Sequence, residues 1–290
     1  MEKVRIGVIG GSGLYAMDGL EDLTERRLAT PFGDPSDCYM LGHLDGVPVA
    51  FLPRHGRGHR LLPTEVNYRA NIFGFKLLGV DWLISVSAVG SLREAYAPGH
   101  VVVPDQFFDR TRHRADTFFG EGLVAHVSLA DPVSAALQGV LAAAAEEAGA
   151  TVHRGGTYVC MEGPQFSTRA ESHTYRQWGM DIIGMTNLQE ARLAREAELS
   201  YATLAMVTDY DCWHESEEAV EVEAVLAVLR QNAVLGQETV RRAVAALSAP
   251  GAPSPDCSSA LEFALVSDPS GVPEATLDKL RPIVGKYFER

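Results

Sequence analysis

Five short segments of the chain carry side chains that could bind or react with a small molecule. Gly10-Gly11-Ser12-Gly13 sets bare backbone N–H groups beside the Ser12 hydroxyl in a tight turn. Such a turn can cradle a single phosphate. Read as Gly11-Ser12-Gly13-Leu14-Tyr15-Ala16, it also fits a dinucleotide fingerprint. That reading needs an acidic residue about 20 positions on, at the end of a second strand. The region holds Ala29-Thr30-Pro31 and no such acid. In Arg54-His55-Gly56-Arg57-Gly58-His59-Arg60, five of seven residues are cationic or titratable. A guanidinium can grip phosphate through two parallel N–H bonds; the plain alternative is a solvated basic loop. His55 and His59 could suggest a metal, but no third ligand or acidic partner lies nearby. Ser87-Ala88-Val89-Gly90-Ser91 offers small hydroxyls and open backbone, suited to an anion or to an ordinary strand-to-helix turn. Met185-Thr186-Asn187 is the fourth segment and Thr208-Asp209-Tyr210-Asp211 the fifth. In an extended continuation Asp209 and Asp211 share a face. Two carboxylates there could hold a metal or accept from the exocyclic amine of a base. One, partly desolvated, could keep a proton and act as an acid. Capping of the helix predicted from Glu217 is the alternative.

The elements that must position these residues alternate between short apolar runs and helical patterns. Strands are predicted over Val4–Ile9, Val47–Leu52, Trp82–Val86, His100–Val103, Thr151–Cys160, Asp181–Met185 and Tyr201–Val207. Helical spacing covers Pro63–Leu78, Gln189–Leu199 and Glu217–Leu247. Another helix is predicted from Asp131-Pro132 to Gly149, and Thr168-x-x-Glu171 reads as a capping box. This alternation predicts an α/β domain around a largely buried mixed or parallel sheet. All five segments fall at the carboxyl ends of predicted strands, where such sheets bind ligands. Phosphate-gripping groups (Ser12, Arg54, Ser87) together with base-like acceptors suggest a nucleoside site with a separate phosphate pocket. Ala249–Pro255 reads as a linker. The tail to Arg290 has too little apolar material to fold alone and is expected to pack on the body or on a neighbouring subunit.

Composition narrows the partners. The 290 residues carry a net charge of −13, which argues against a nucleic-acid or anionic-membrane binder. An anionic ligand must therefore find a local positive pocket. Cys38, Cys160, Cys212 and Cys257 form no C-x-x-C pair, and a core of this size needs no staples, so free thiols are expected. Neither a signal peptide nor an apolar run of about 18 residues is visible, so a cytoplasmic protein is expected.

A series of motifs then aligns in order. Gly10-Gly11-Ser12-Gly13-Leu14, Thr30-Pro31-Phe32-Gly33, Arg54-His55-Gly56, Val66-Asn67-Tyr68-Arg69-Ala70-Asn71, Gly90-Ser91-Leu92-Arg93, Asp105-Gln106-Phe107, Glu162-Gly163-Pro164-Gln165-Phe166-Ser167 and Ala205–Trp213 closely resemble the 5′-methylthioadenosine phosphorylases. These form part of the trimeric branch of the purine nucleoside phosphorylase family. The resemblance implies a nucleoside phosphorylase-like fold, a single three-layer domain over 1–248 with a central mixed, partly barrel-like sheet flanked by helices; 249–290 would be linker and tail. It implies a homotrimer or a dimer of trimers. It also implies attack of inorganic phosphate, a co-substrate, on C1′ of the nucleoside, with no metal and no organic cofactor. Phosphate would be held by Ser12, Arg54, His55, Ser87, Thr186 and the Ala88 backbone N–H. Met185 would lie under the ribose, Phe166 would stack on the purine with Ser167 beside it, and Asp209 and Asp211 would meet N7 and the 6-amino group, Asp209 as the acid. Val222 would line the methylthio pocket, and His126 would reach a neighbouring subunit's site. The family's Met-Thr-x-x-Pro-Glu is here Met185-Thr186-Asn187-Leu188-Gln189-Glu190, so Asn187 and Gln189 are departures beside the ribose. Competing expectations are a 6-oxopurine or methylthioinosine phosphorylase, which would want a donor where the aspartates stand, and a non-catalytic nucleoside-binding protein, which would be expected to have lost Arg54 or Asp209.

Overall fold

In a computed structural model of the chain, residues 3–11, 14, 17–214 and 222–288 are described. Ser12 lies outside them, as do residues 215–221 and the side chain of Val222. The first apolar run forms β1 (Ile6–Gly10), buried throughout. It lies between β4 (Val47–Pro53) and β5 (Trp82–Ser91), parallel to both. The other edge of β5 carries β11 (Ser200–Asp209), again parallel, with Ser200 opposite Trp82 and Val207 opposite Val89. Near-continuous apolar strands are what a sheet covered on both faces requires. Alternate residues serve the two faces. Ile9, Ala50, Leu52, Leu83 and Tyr201 pack under α1 (Tyr68–Leu78), α4 (Asn187–Glu196) and α6 (Glu274–Phe288). Ile6, Val8, Val49, Phe51, Trp82, Ile84 and Leu204 pack under α2 (Ala135–Glu147) and α5 (Val222–Ser248).

Beyond β4 the sheet turns antiparallel through β3 (Tyr39–Leu44) to β2 (Leu20–Arg26). Beyond β11 come β6 (Val101–Val103), antiparallel, and β8 (Val152–Arg154). Among the described residues the result is a mixed sheet of 11 strands, and β5 is where it branches. β1 accompanies β5 only as far as Ser85. On the same edge β10 (Ile182–Gly184) joins at Gly90, running antiparallel, and leads through β9 (Thr157–Met161) to β7 (Gln106–Arg110). Between those two neighbours the backbone of Val86–Val89 has no strand partner on that edge among the described residues.

Three local expectations are corrected. α2 does not start at Asp131-Pro132: the buried Ser134 is the cap, its Oγ accepting from Leu137 N at 3.1 Å. Its end agrees with expectation, Gly149 standing just past the helix at a φ of 89°. The predicted strand over Thr151–Cys160 is two strands, parted by Gly155 and Gly156 at φ values of 83° and 114°, a region that favours glycine. The strand predicted to stop at Val86 runs on to Ser91, so Ser87 and Ala88 stand within β5 rather than after it.

Candidate active site

Arg54 leaves β4 with its backbone N–H on Gly10 O at 2.9 Å, which ties it to the turn after β1. Its side chain is 4% exposed. Nη1 donates to Val86 O at 3.1 Å, on the edge of β5 that β1 leaves open, and Nη2 to Ser85 Oγ at 2.7 Å. The fork itself grips a carboxylate: Nε donates to Glu190 Oε1, and Nη2 lies 3.1 Å from Glu190 Oε2. Glu190 also accepts from Ser85 Oγ at 2.9 Å and Tyr201 OH at 3.0 Å. Burial opposes the Arg54 charge, but Glu190 outweighs it and raises the pKa. Of five guanidinium N–H groups, these contacts leave one on Nη1 for an anion. A bidentate grip on phosphate is thus not the geometry present.

The rest of the basic segment divides. Arg57 turns out to Glu25 and Asp37, and Arg60 donates to Ser36 O. His55 Nδ1 lies 2.8 Å from Leu61 O. A carbonyl only accepts, so that nitrogen carries the proton and Nε2 is left as an acceptor. Burial pushes the imidazole pKa down to about 4, with the Arg54 charge adding to it, so the ring is neutral near pH 7.

Met185 and Thr186 follow β10, and because β10 runs antiparallel to β5 they turn back along the stretch that holds Ser87 and Ala88. Asn187, buried below them, is a junction. Its Oδ1 accepts from Tyr158 OH and Thr186 Oγ1, both at 3.1 Å. Its Nδ2 is 3.0 Å from Ser85 Oγ and 2.9 Å from Thr203 Oγ1. Gln189 is also fully buried. Both departures from the family pattern therefore point into the protein beneath the Met185 segment.

At the other end of the same stretch, Asp209 pairs in register with Gly90. A Cβ on Gly90 would lie 3.0 Å from Asp209 Oδ1, so glycine is what allows the strand past the carboxylate. Asp209 Oδ1 accepts from Asp211 N at 2.8 Å and Oδ2 from Thr208 Oγ1 at 2.7 Å. The extended continuation expected for this segment is absent. β11 ends at Asp209, and Asp211, with φ of 51°, opens a short 3-10 turn. The pair is brought together by that turn rather than by strand pleat. Burial raises the pKa of Asp211, and the Asp209 charge raises it further; among the described residues Asp211 Oδ2 is buried without a hydrogen-bond partner. Ser167 O accepts from Cys212 Sγ at 3.3 Å, which joins the Glu162–Ser167 segment to this turn, and Phe166 stands 83% exposed beside it.

Arg54, Ser87, Ala88, Met185, Thr186, Asp209, Asp211 and Ser167 are thus gathered along one length of β5. His126 is not: its side chain is exposed, and its backbone N–H donates to Ala264 O at 2.8 Å. Glu190 and Arg114 were missed by sequence reasoning. A buried arginine requires an acid partner, and Glu190 closes the Met185–Glu190 motif, so the signal for it was present. Among the described residues no cluster of three or more His, Cys, Asp or Glu could hold a metal, and no helix is long and apolar enough to cross a membrane.

Residues 5–245 match the phosphorylase superfamily. An S-methyl-5′-thioadenosine phosphorylase of Geobacter sulfurreducens is 59% identical over 288 residues, covering 99% of this chain and all of its own length. A methylthioadenosine phosphorylase from an antarctic soil metagenomic library superposes with a TM-score of 0.94 at 49% identity, over 97% of this chain and 99% of its own. A variant of adenosine/methylthioadenosine phosphorylase from Schistosoma mansoni, in complex with adenine, gives a TM-score of 0.80 at 40% identity, over 86% and 93%.

Proposed function

This chain belongs to the phosphorylase superfamily, and on that footing we propose that it cleaves S-methyl-5′-thioadenosine with phosphate, giving adenine and 5-methylthioribose 1-phosphate for purine and methionine salvage. The observation that carries the reading is the stretch of β5 whose β1 edge has no strand partner among the described residues, with a buried arginine at one end and two carboxylates at the other.

Phosphate sits against Ser12, Thr186, Ser87, the Ala88 backbone N–H and the free Nη1 hydrogen of Arg54. His55, neutral and with Nε2 as acceptor, takes a hydrogen bond from a phosphate O–H or contributes through its backbone. Met185 supports the ribose, Phe166 covers the purine, Ser167 flanks it, and Val222 bounds the 5′-thioether. A phosphate oxygen bonds to C1′ as the C1′–N9 bond breaks, and that electron pair leaves with the purine. Positive charge on the sugar is met by phosphate below it, and Asp209 protonates N7, a contribution of about 10²–10⁴-fold. Asp211 accepts from the 6-amino group. No cofactor is called for, since phosphate is itself a reactant. The raised pKa of Asp211 favours the reverse division, with Asp211 as proton donor, and a mutant pair separates the two.

The active unit is a homotrimer, alone or doubled, in the cytoplasm. Phe263 is 92% and Val266 58% exposed, and Val266 N donates to Val124 O beside the His126 segment. This apolar strip suits burial against a second copy, with His126 entering the neighbour's 5′ pocket. The four unbridged cysteines suit a reducing compartment.

A spectrophotometric assay of adenine release from methylthioadenosine tests the reaction. Release should require phosphate; equal release without it would replace phosphorolysis by hydrolysis.

A further inference from the structure

We propose that Gln189, acting through Arg114, is a positioning residue that sets the spacing between the Met185 segment and the Glu162–Ser167 segment. The inference rests on the site reading above, in which those segments hold the ribose and the purine.

The Arg114 side chain is 1% exposed and lies between the two segments. One arm serves the purine side: Nη2 donates to Glu162 O at 2.7 Å, and Nε lies 3.3 Å from Glu162 Oε1. The other serves the ribose side: Nη1 donates to Met185 O and, at 2.8 Å, to Gln189 Oε1. Gln189 is in turn fixed by donation from Nε2 to Thr111 Oγ1 at 2.8 Å. The guanidinium is planar, and Nη1 also lies 3.2 Å from Tyr68 Oη, so the Gln189 contact is what draws its hydrogens toward the Met185 side. The spacing it sets is tight: a Cβ on Gly163 would lie 2.6 Å from Met185 Sδ. Without Gln189, a buried guanidinium loses an acceptor and must re-aim, moving one wall of the nucleoside site against the other.

Position 189 is in the first turn of α4, where a backbone N–H has no intrahelical partner and proline is accommodated. Gln189→Pro therefore restores the family residue without breaking the helix while deleting the Arg114 contact. Gln189→Met keeps the volume, and Gln189→Glu keeps the acceptor. Steady-state kinetics with methylthioadenosine and phosphate varied separately are expected to show nucleoside KM raised about tenfold, with kcat lowered, in the Pro and Met variants. Phosphate KM should stay within about twofold of wild type, and Gln189→Glu should recover most of the loss. A merely structural defect would move both KM values together and would not be rescued by Glu. Unchanged nucleoside KM, or both KM values rising in step, overturns the inference. Phe166→Ala and Met185→Ala run beside them: if these two also leave nucleoside KM unchanged, the site reading itself has failed; if they raise it and the Gln189 variants do not, only the positioning role falls.

Discussion

Glu190→Gln is the perturbation whose size follows most directly from the geometry. The carboxylate takes four hydrogen bonds: two from Arg54, one from Ser85 Oγ and one from Tyr201 OH. Glutamine keeps the shape but turns one acceptor into a donor that faces guanidinium N–H groups, leaving the Arg54 charge buried and unpaired. Removing one partner of a buried ion pair costs about 3–5 kcal/mol. At roughly 2–4 °C per kcal/mol for a domain of this size, the melting temperature should fall by roughly 6–20 °C. Arg54 also donates to Val86 O, so its displacement disturbs the end of the site proposed to hold phosphate, and phosphate KM should rise well above the change in nucleoside KM. The double variant Arg54→Met/Glu190→Leu removes both charges and should regain much of the stability while remaining inactive. Thermal melts with initial-rate kinetics decide the matter. A Glu190→Gln protein that melts within about 2 °C of wild type and keeps its phosphate KM would show that Glu190 neither neutralises nor aims Arg54.

Further outcomes are expected. Arg54→Ala should raise phosphate KM far more than nucleoside KM, and Arg54→Lys should rescue poorly because one ammonium, with three N–H groups and no planar fork, cannot replace the four contacts to Glu190, Ser85 and Val86; an unchanged phosphate dependence refutes this. Asp209→Asn should lower kcat on methylthioadenosine sharply and shift preference toward methylthioinosine, whereas Asp211→Asn should weaken adenine preference with a smaller kcat loss. If the larger kcat loss follows Asp211→Asn, the proton belongs to Asp211. Burial raises the Glu196 carboxyl to about 7, so its contribution to stability is complete at low pH and is lost as pH rises from its unfolded value through 7. Urea unfolding of wild type should lose roughly 1 kcal/mol from this group between pH 6.5 and 8, a slope absent in Glu196→Gln; equal slopes refute it. Phe263→Asp should lower the oligomeric state in sedimentation and reduce activity with it, and a fully active monomer would refute the shared pocket.

The buried parallel strands were legible because their apolar runs are short, dense and bounded by glycine or polar turns; β1, β4 and β11 lie where the pattern put them. β2 was not, because it is an edge strand whose exposed residues carry little apolar signal. α6 was not foreseen either: it docks only through such residues as Leu280, Ile283 and Val284 and carries Pro282 within it. At the site, residue types and order were readable but their geometry was not. The branch of β5, which gathers the site along an open backbone stretch, depends on where β1 stops and β10 starts, and pairing register leaves no local mark. For the same reason a phosphate fork was expected at Arg54, where the fold supplies Glu190 from a distant helix.

The configuration at C1 of the sugar product bears most directly on the proposed reaction. In the proposed reaction, phosphate held at the Arg54 end attacks the face of the ribose opposite the purine, so the displacement inverts C1. Phosphorus NMR of the product from methylthioadenosine and phosphate should show the α anomer of 5-methylthioribose 1-phosphate, in amounts equal to the adenine released. Free 5-methylthioribose with no phosphorylated sugar, or a β anomer, would contradict it.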